Sequence, residues 1–280
     1  MNLFEQWEVA GGSVPGTRHI EKGINNQDAW SYYHDNDILV ACVSDGCGSQ
    51  PGSEVGSRLL TDWIVTDLSS WGKDIHKTAH NFSNIPFQYW EATISTINRR
   101  VKNMFHDYGK WGITLQVMEK MLATLVGVII SKELIEVFYC GDGLAIVGCE
   151  AFILHPNEGN RPDYLMYQFL DPESKVKIHS MPFDPKDINH ILIGTDGAVD
   201  LMNSSDKFSP GAQERMGPIS QFWERDIFFK NPDAVRRRLW AAQAAKKLIK
   251  WDSQEVIMQP GILSDDTTII SIRKKVAPKV

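Results

Sequence analysis

The chain has 280 residues, is 42% hydrophobic and 23% charged, and carries a formal net charge of −6. A chain of this length buries roughly three quarters of its unfolded surface without a disulfide or metal staple, and the acidic balance excludes nucleic acid as the main partner, because phosphate-backbone binding needs a concentrated Lys/Arg surface. No stretch reaches the roughly 18 apolar residues of a membrane span, and the opening residues lack the basic-then-apolar pattern of a secretory signal. Cys42, Cys47, Cys140 and Cys149 are too irregularly spaced for a disulfide framework or a zinc site, so a cytoplasmic protein that does not bind membranes is expected.

In chain order, the aromatic run 30–33 and the apolar run 38–43 read as strands. A helix follows from Val55, with Val55, Leu59, Leu60, Trp63, Ile64 and Leu68 on one face. A second helix from about residue 88 carries Trp90, Ile94, Ile97, Val101, Met104 and Phe105. Strands are expected at 122–130, 134–139 and 144–147. A polar stretch from 155 to 185 comes next, then a strand at 190–193. Asn231 and Pro232 open a third predicted helix that runs to about Lys250, and 267–272 is the last strand. No repeat or linker divides the chain, so residues 1–280 are expected to form one domain. Strands come in runs with helices between them, which predicts an α+β fold of antiparallel sheets with helices packed outside.

Certain aspartates fall at strand ends. Asp45 closes the run 38–43 and is followed by Gly46, and Asp196 closes 190–193 and is followed by Gly197. Asp265 and Asp266 precede 267–272, and Asp28 precedes 30–33. In antiparallel sheets the end of one strand and the start of its neighbour share a rim, so these positions are expected to meet. Each Asp-Gly alone is a common turn dipeptide; the conjunction of four rim positions is what points to a site. Carboxylates gathered without interleaved cations repel unless a metal neutralises them. All-oxygen ligation favours Mg²⁺ or Mn²⁺ over zinc, and a glycine lets the backbone approach, so the Gly46 carbonyl is itself a candidate ligand. Two such ions lower the pKa of a shared water and aim it at phosphorus, which is the chemistry of phosphate-ester hydrolysis.

At these residues the chain resembles the metal-dependent serine/threonine phosphatases related to protein phosphatase 2C. Asn25-Asn26-Gln27-Asp28-Ala29 resembles the family's Asn-Glu-Asp-Ala segment, and Ser44-Asp45-Gly46-Cys47-Gly48 its Asp-Gly-x-Gly block. Ala123-Thr124-Leu125 is similar to Gly-Thr-Thr, and Cys140-Gly141-Asp142-Gly143 to Gly-Asp-Ser. Thr195-Asp196-Gly197-Ala198-Val199-Asp200 resembles Ser-Asp-Gly-x-x-Asp, and Ser264-Asp265-Asp266-Thr267-Thr268 resembles Asp-Asn-x-Thr. Six blocks in order make the resemblance specific, and their variants look like a divergent bacterial branch.

The resemblance implies a sandwich of two antiparallel sheets flanked by helices, in αββα layers. It implies a hydrolase acting on phosphoserine and phosphothreonine, with Asp45 and Asp196 activating a water through two Mg²⁺ or Mn²⁺ ions. Asp45 would bridge the ions with the Gly46 carbonyl, Asp196 and Asp265 as further ligands, and Asp28 would hold water. A third, weaker ion would fall to Asp200 and Glu119. The substrate phosphate is left to Arg18, His19 or Lys22, because Gly23 stands where the family has arginine. The implied partners are phosphorylated proteins and a serine/threonine kinase or its targets. Gln27 replaces an acidic residue and Cys47 a histidine found in some members.

Those departures motivate one alternative, a non-catalytic signalling or interaction module that keeps the fold. A metal-dependent phosphatase of a small metabolite is another. Several residues have plainer readings. His76 and His80 fit a surface pair better than a zinc site, and Asp142 fits a turn. The nine tryptophans fit packing. Ser44 and Ser49 lack a histidine placed as base, so a covalent serine mechanism has no support.

Overall fold

The computed structural model describes residues 2–78, 87–109, 114–154, 162–167, 176–210 and 214–275. Its first sheet is antiparallel and runs in the order Trp7–Val14 (β1), Thr267–Lys274 (β12), His190–Gly194 (β9), Gly143–Val147 (β6), Glu150–Leu154 (β7). The second runs Asp28–His34 (β2), Leu39–Asp45 (β3), Leu125–Ile130 (β4), Ile135–Cys140 (β5), His179–Phe183 (β8). Lys246–Lys250 (β10) and Glu255–Gln259 (β11) form a separate two-stranded hairpin.

Period-2 alternation explains the layering. In β3, Leu39, Ala41 and Val43 point inward to Val128, Ile130, Ile191, Ile193, Ile270 and Ile272, which fill the space between the sheets. Val40 and Cys42, one residue out of step, face the other way. There Glu54–Thr78 (α3) and Phe87–Gly109 (α4) lay Leu60, Ile64, Leu68, Trp90, Ile97 and Val101 on the second sheet. Val55, counted in the apolar stripe of α3, is in fact exposed.

The first sheet is covered on its outer face by Gly197–Met202 (α6), Gln221–Glu224 (α7), Ile227–Lys230 (α8) and Ala234–Gln243 (α9). Leu201, Phe222, Phe228, Val235 and Leu239 pack there on Leu144, Ile146, Leu192 and Ile269. Short helices Leu3–Gln6 (α1), Thr17–Lys22 (α2) and Thr114–Glu119 (α5) complete the order. Two antiparallel sheets between helical layers is the architecture expected from the sequence. No helix among the described residues is long and apolar enough to cross a membrane.

The third predicted helix is shorter than expected. It starts at Ala234, and Asn231 serves the preceding turn by accepting from Asp233 N at 3.0 Å. It ends at Gln243, where the returning chain crosses it and Ile262 N donates to the Ala242 carbonyl at 2.8 Å. Residues 246–250 then pair with 255–259 instead of continuing the helix. A strand partner distant in sequence overrides the local helix propensity of Ala, Lys and Leu. Of the basic run 236–238, Arg236 and Arg237 pair with Asp233, while Arg238 turns inward to Gln221 Oε1 at 3.0 Å.

Candidate metal centre

The register of β2 and β3 sets the first two carboxylates. Asp28, the first residue of β2, is the cross-strand partner of Asp45, the last residue of β3. The backbone beside them is closely held. Gly46 N donates to the Gln27 carbonyl at 3.1 Å, and Ser57 Oγ donates to the same oxygen at 2.6 Å. A Cβ on Gly46 would stand 2.8 Å from that oxygen and 2.8 Å from Ser53 Oγ, so only glycine fits. Thr124 N donates to the Asp45 carbonyl at 2.8 Å, and Asp45 N donates to Thr124 Oγ1 at 3.2 Å.

Residues from the first sheet reach the same rim. Beyond β9, Thr195 N donates to the Thr268 carbonyl, and Thr268 N donates to Thr195 Oγ1, both at 3.1 Å. The Thr195 hydroxyl in turn donates to Asp28 Oδ2 at 2.7 Å, joining the sheets across the sandwich. The other oxygen, Asp28 Oδ1, is buried without a protein partner. Asp196 follows Thr195 and precedes α6. Asp266 acts as a clamp: Oδ1 accepts from Gly16 N at 2.7 Å and meets His19 Nδ1 at 2.8 Å, while Oδ2 accepts from Gln27 N at 2.6 Å. Asp265 stands beside it and accepts from Asp266 N at 2.9 Å.

These carboxylates raise one another's proton affinity. Burial, then the charges of Asp28 and Asp196, hold Asp45 well above the usual carboxylate range, with Asp265 adding to the effect. Asp28 is likewise raised by burial and by Asp266, against hydrogen bonds from Thr195 and Thr268. Asp196 is pushed up to about 7 by burial, then by Asp142, Asp265 and Asp200. Desolvation and like charges both disfavour the ionised form, which is the condition a cation relieves.

The predicted site residues are distributed unevenly. Asp28, Asp45, Asp196 and Asp265 lie near enough for their charges to act on one another. The set whose ligand atoms all lie within 4.8 Å, among the described residues, is His19, Asp265 and Asp266. Asp45, Asp196 and Asp265 do not close to that spacing as a trio. His19 is buried against Asp266, whereas Arg18 and Lys22 are exposed on α2. Asp200 is exposed, with Ser264 Oγ at 3.5 Å from Oδ2. Glu119 ends α5, and the carboxylate whose charge acts most on Asp196 is Asp142.

Two residues of the rim are not among the predicted site residues. Asp142 reads as a turn residue because glycines flank it, yet its Oδ1 is buried without a partner and burial raises its carboxyl. Tyr164 is buried, its phenol raised by desolvation first and then by a hydrogen bond to Cys47 and the charge of Asp45. It lies in the polar stretch 155–185, which gave no reason to single it out. Cys47 Sγ also lies 3.3 Å from Ser49 Oγ. His80 falls outside the described residues, as do 155–161 and 168–175 of that stretch.

The donor set fits a hard divalent cation. It offers carboxylate oxygens, one of them buried and unpartnered at Asp28, and the imidazole nearest them, His19, turns its Nδ1 to Asp266.

A family model for protein phosphatase 2C matches residues 15–222. No curated protein matches the chain. Among solved structures, the serine/threonine phosphatase Stp1 from Staphylococcus aureus is 12% identical with a TM-score of 0.57, over 99% of this chain and 98% of that one. A bacterial serine phosphatase is 12% identical with a TM-score of 0.54, over 98% and 99%. The catalytic domain of the serine/threonine phosphatase PstP, in complex with two manganese ions, is 13% identical with a TM-score of 0.50, over 97% and 99%. At these identities the likeness to solved structures is one of fold.

Proposed function

Because the chain belongs to the protein phosphatase 2C family, we propose that it removes phosphate from serine or threonine in proteins, using Mg²⁺ or Mn²⁺ held at the aspartate rim. The observation that carries this reading is the gathering of Asp28, Asp45, Asp196 and Asp265 at one end of the sandwich, where Asp28, Asp196 and Asp265 all raise the proton affinity of Asp45. The manganese in the PstP structure supports the choice of ion.

Asp45, Asp196, Asp265 and the Gly46 carbonyl would hold the ions. A bound divalent ion supplies Lewis-acid charge and makes neighbouring water a better nucleophile at neutral pH. Asp28, fixed through Oδ2 by Thr195, keeps Oδ1 free to accept a proton from water and orient it. Asp266 uses both its oxygens for hydrogen bonds from Gly16 N and Gln27 N and for the contact with His19. It thereby holds the start of α2 against the rim, which would position Arg18 and Lys22 to meet an incoming phosphate. Asp142 and Asp200 supply the charge beside Asp196 that would retain a further ion.

The test is phosphate release from a phosphoserine or phosphothreonine peptide, with manganese and with chelator, for the native chain and an Asp45→Asn/Asp196→Asn variant. Activity that needs manganese and disappears in the variant is expected. Full turnover by the folded double variant would overturn the proposal, and faster hydrolysis of a phosphorylated metabolite than of any phosphopeptide would move it to the small-molecule reading.

A further inference from the structure

The hairpin of β10 and β11 stands apart from all three apolar clusters, and neither of its strands pairs with a third among the described residues. A two-stranded ribbon is marginal in water without a third strand or a packed face. Here the apolar side chains of both faces are exposed. Ile249 is opposite Val256, and Lys247 opposite Met258, on one face; Leu248 and Ile257 share the other. Ile249, Val256 and Met258 are 52%, 61% and 53% exposed, and Trp251 at the turn is 80% exposed. A concentrated apolar patch of this kind on an otherwise acidic chain marks an interaction surface.

The charges distinguish the two free edges. β10 reads Lys246-Lys247-Leu248-Ile249-Lys250 and β11 reads Glu255-Val256-Ile257-Met258-Gln259. Pairing β10 antiparallel with its own counterpart about Leu248 sets Lys246 against Lys250 twice, a like-charge opposition that protects an edge. Pairing β11 with its counterpart about Ile257 sets Val256 against Met258 and Glu255 against Gln259, with no like charges opposed.

We propose that two copies of the chain associate through β11, forming a four-stranded antiparallel sheet with Ile257 on the two-fold axis. Each copy adds main-chain hydrogen bonds to the other's open edge, and the contact is isologous and closes on itself. Ile249, Val256 and Met258 of both copies then form one apolar face, and the lysines of β10 stay on the outer edges in water. This association is independent of the phosphatase reading.

Light scattering behind size exclusion is expected to give a dimer mass that falls to the monomer on dilution. Val256→Lys/Met258→Lys should be monomeric at every concentration, with the melting temperature of the native monomer because the hairpin lies outside all three apolar clusters. In a Cys149→Ser background, which removes the exposed native thiol, Ile257→Cys is expected to oxidise to a covalent dimer, since opposed residues of an antiparallel pair lie within disulfide reach. Leu248→Cys on the guarded strand should not. A native chain that is monomeric throughout overturns the proposal, including one that sediments with anionic vesicles. So does a dimer that survives the two lysines, or equal cross-linking from both cysteines.

Discussion

Thr195 illustrates how much of the rim depends on one hydroxyl. It accepts from Thr268 N and donates to Asp28, so Thr195→Val frees Asp28 and leaves a buried amide without its acceptor. Outer-sphere partners of this kind typically contribute roughly 10–100-fold to metal affinity. A loss of that size in manganese titration calorimetry is expected, with the circular dichroism spectrum kept. Gln27 offers the opposite test. Its Oε1 is buried without a partner and its chain neighbour is Asp28, so Gln27→Glu, which adds a charge next to the rim, should tighten manganese binding while lowering the melting temperature of the metal-free protein. The pH dependence follows from Asp196, whose carboxyl is pushed up to about 7, chiefly by burial. Between an ordinary unfolded carboxylate near 4 and that folded value, the folded state holds a proton that the unfolded state has released. The metal-free protein therefore loses stability as pH rises through this window, and metal binding weakens as pH falls through it because protons compete. Thermal melts with chelator at about pH 5 and about pH 8 should show the fall, and Asp196→Asn should lessen it, leaving the part that Asp28 and Asp45 contribute.

At the scale of elements, legibility follows the range of the interactions that fix each segment. The strands β3, β4, β5, β9 and β12 were readable because their apolar runs are buried on both faces by the layers of the sandwich. β1 was not, since Gly11 and Gly12 interrupt its pattern, and the reason for them is tertiary. A Cβ on Gly11 would meet the Trp30 ring at 2.7 Å, and one on Gly12 the backbone nitrogen of Arg236 in α9 at 2.5 Å. Gly12→Ala must push α9 off the sheet, an overpacking that typically costs about 1–3 kcal/mol and should appear as a lower urea midpoint. The hairpin of β10 and β11 was invisible for a related reason, because each strand is defined only by the other. The candidate site was legible where a carboxylate ends a strand, as at Asp28, Asp45, Asp196 and Asp265. Asp142, though part of the block resembling Gly-Asp-Ser, reads as a turn residue because glycines flank it, and Tyr164 escaped because nothing local distinguishes it from other loop residues. His19 was grouped with Arg18 and Lys22 by proximity alone, whereas the fold buries it against a carboxylate 247 positions away.

For the molecule as a whole, the rim is where three apolar layers give way to concentrated negative charge. A cation that binds only the folded chain stabilises it by mass action, about 2.7 kcal/mol at a hundredfold excess over its dissociation constant. Manganese should therefore raise the melting temperature of the native chain and leave Asp45→Asn/Asp196→Asn unmoved, a readout that needs no substrate. The same rim has a bearing on synthesis. Strand β1 hydrogen-bonds along its length to β12, and Asp266 ties Gly16, His19 and Gln27 across some of the longest sequence separations in the chain. Contacts so distant in sequence form slowly and late, and a chain emerging from the ribosome has no β12 to offer until synthesis reaches it. The opening strand must wait unpaired through most of translation, exposed to chaperones and to other nascent chains. Any chain stopped before Asp265 lacks both the clamp and a rim carboxylate, so an interrupted copy cannot assemble the full rim.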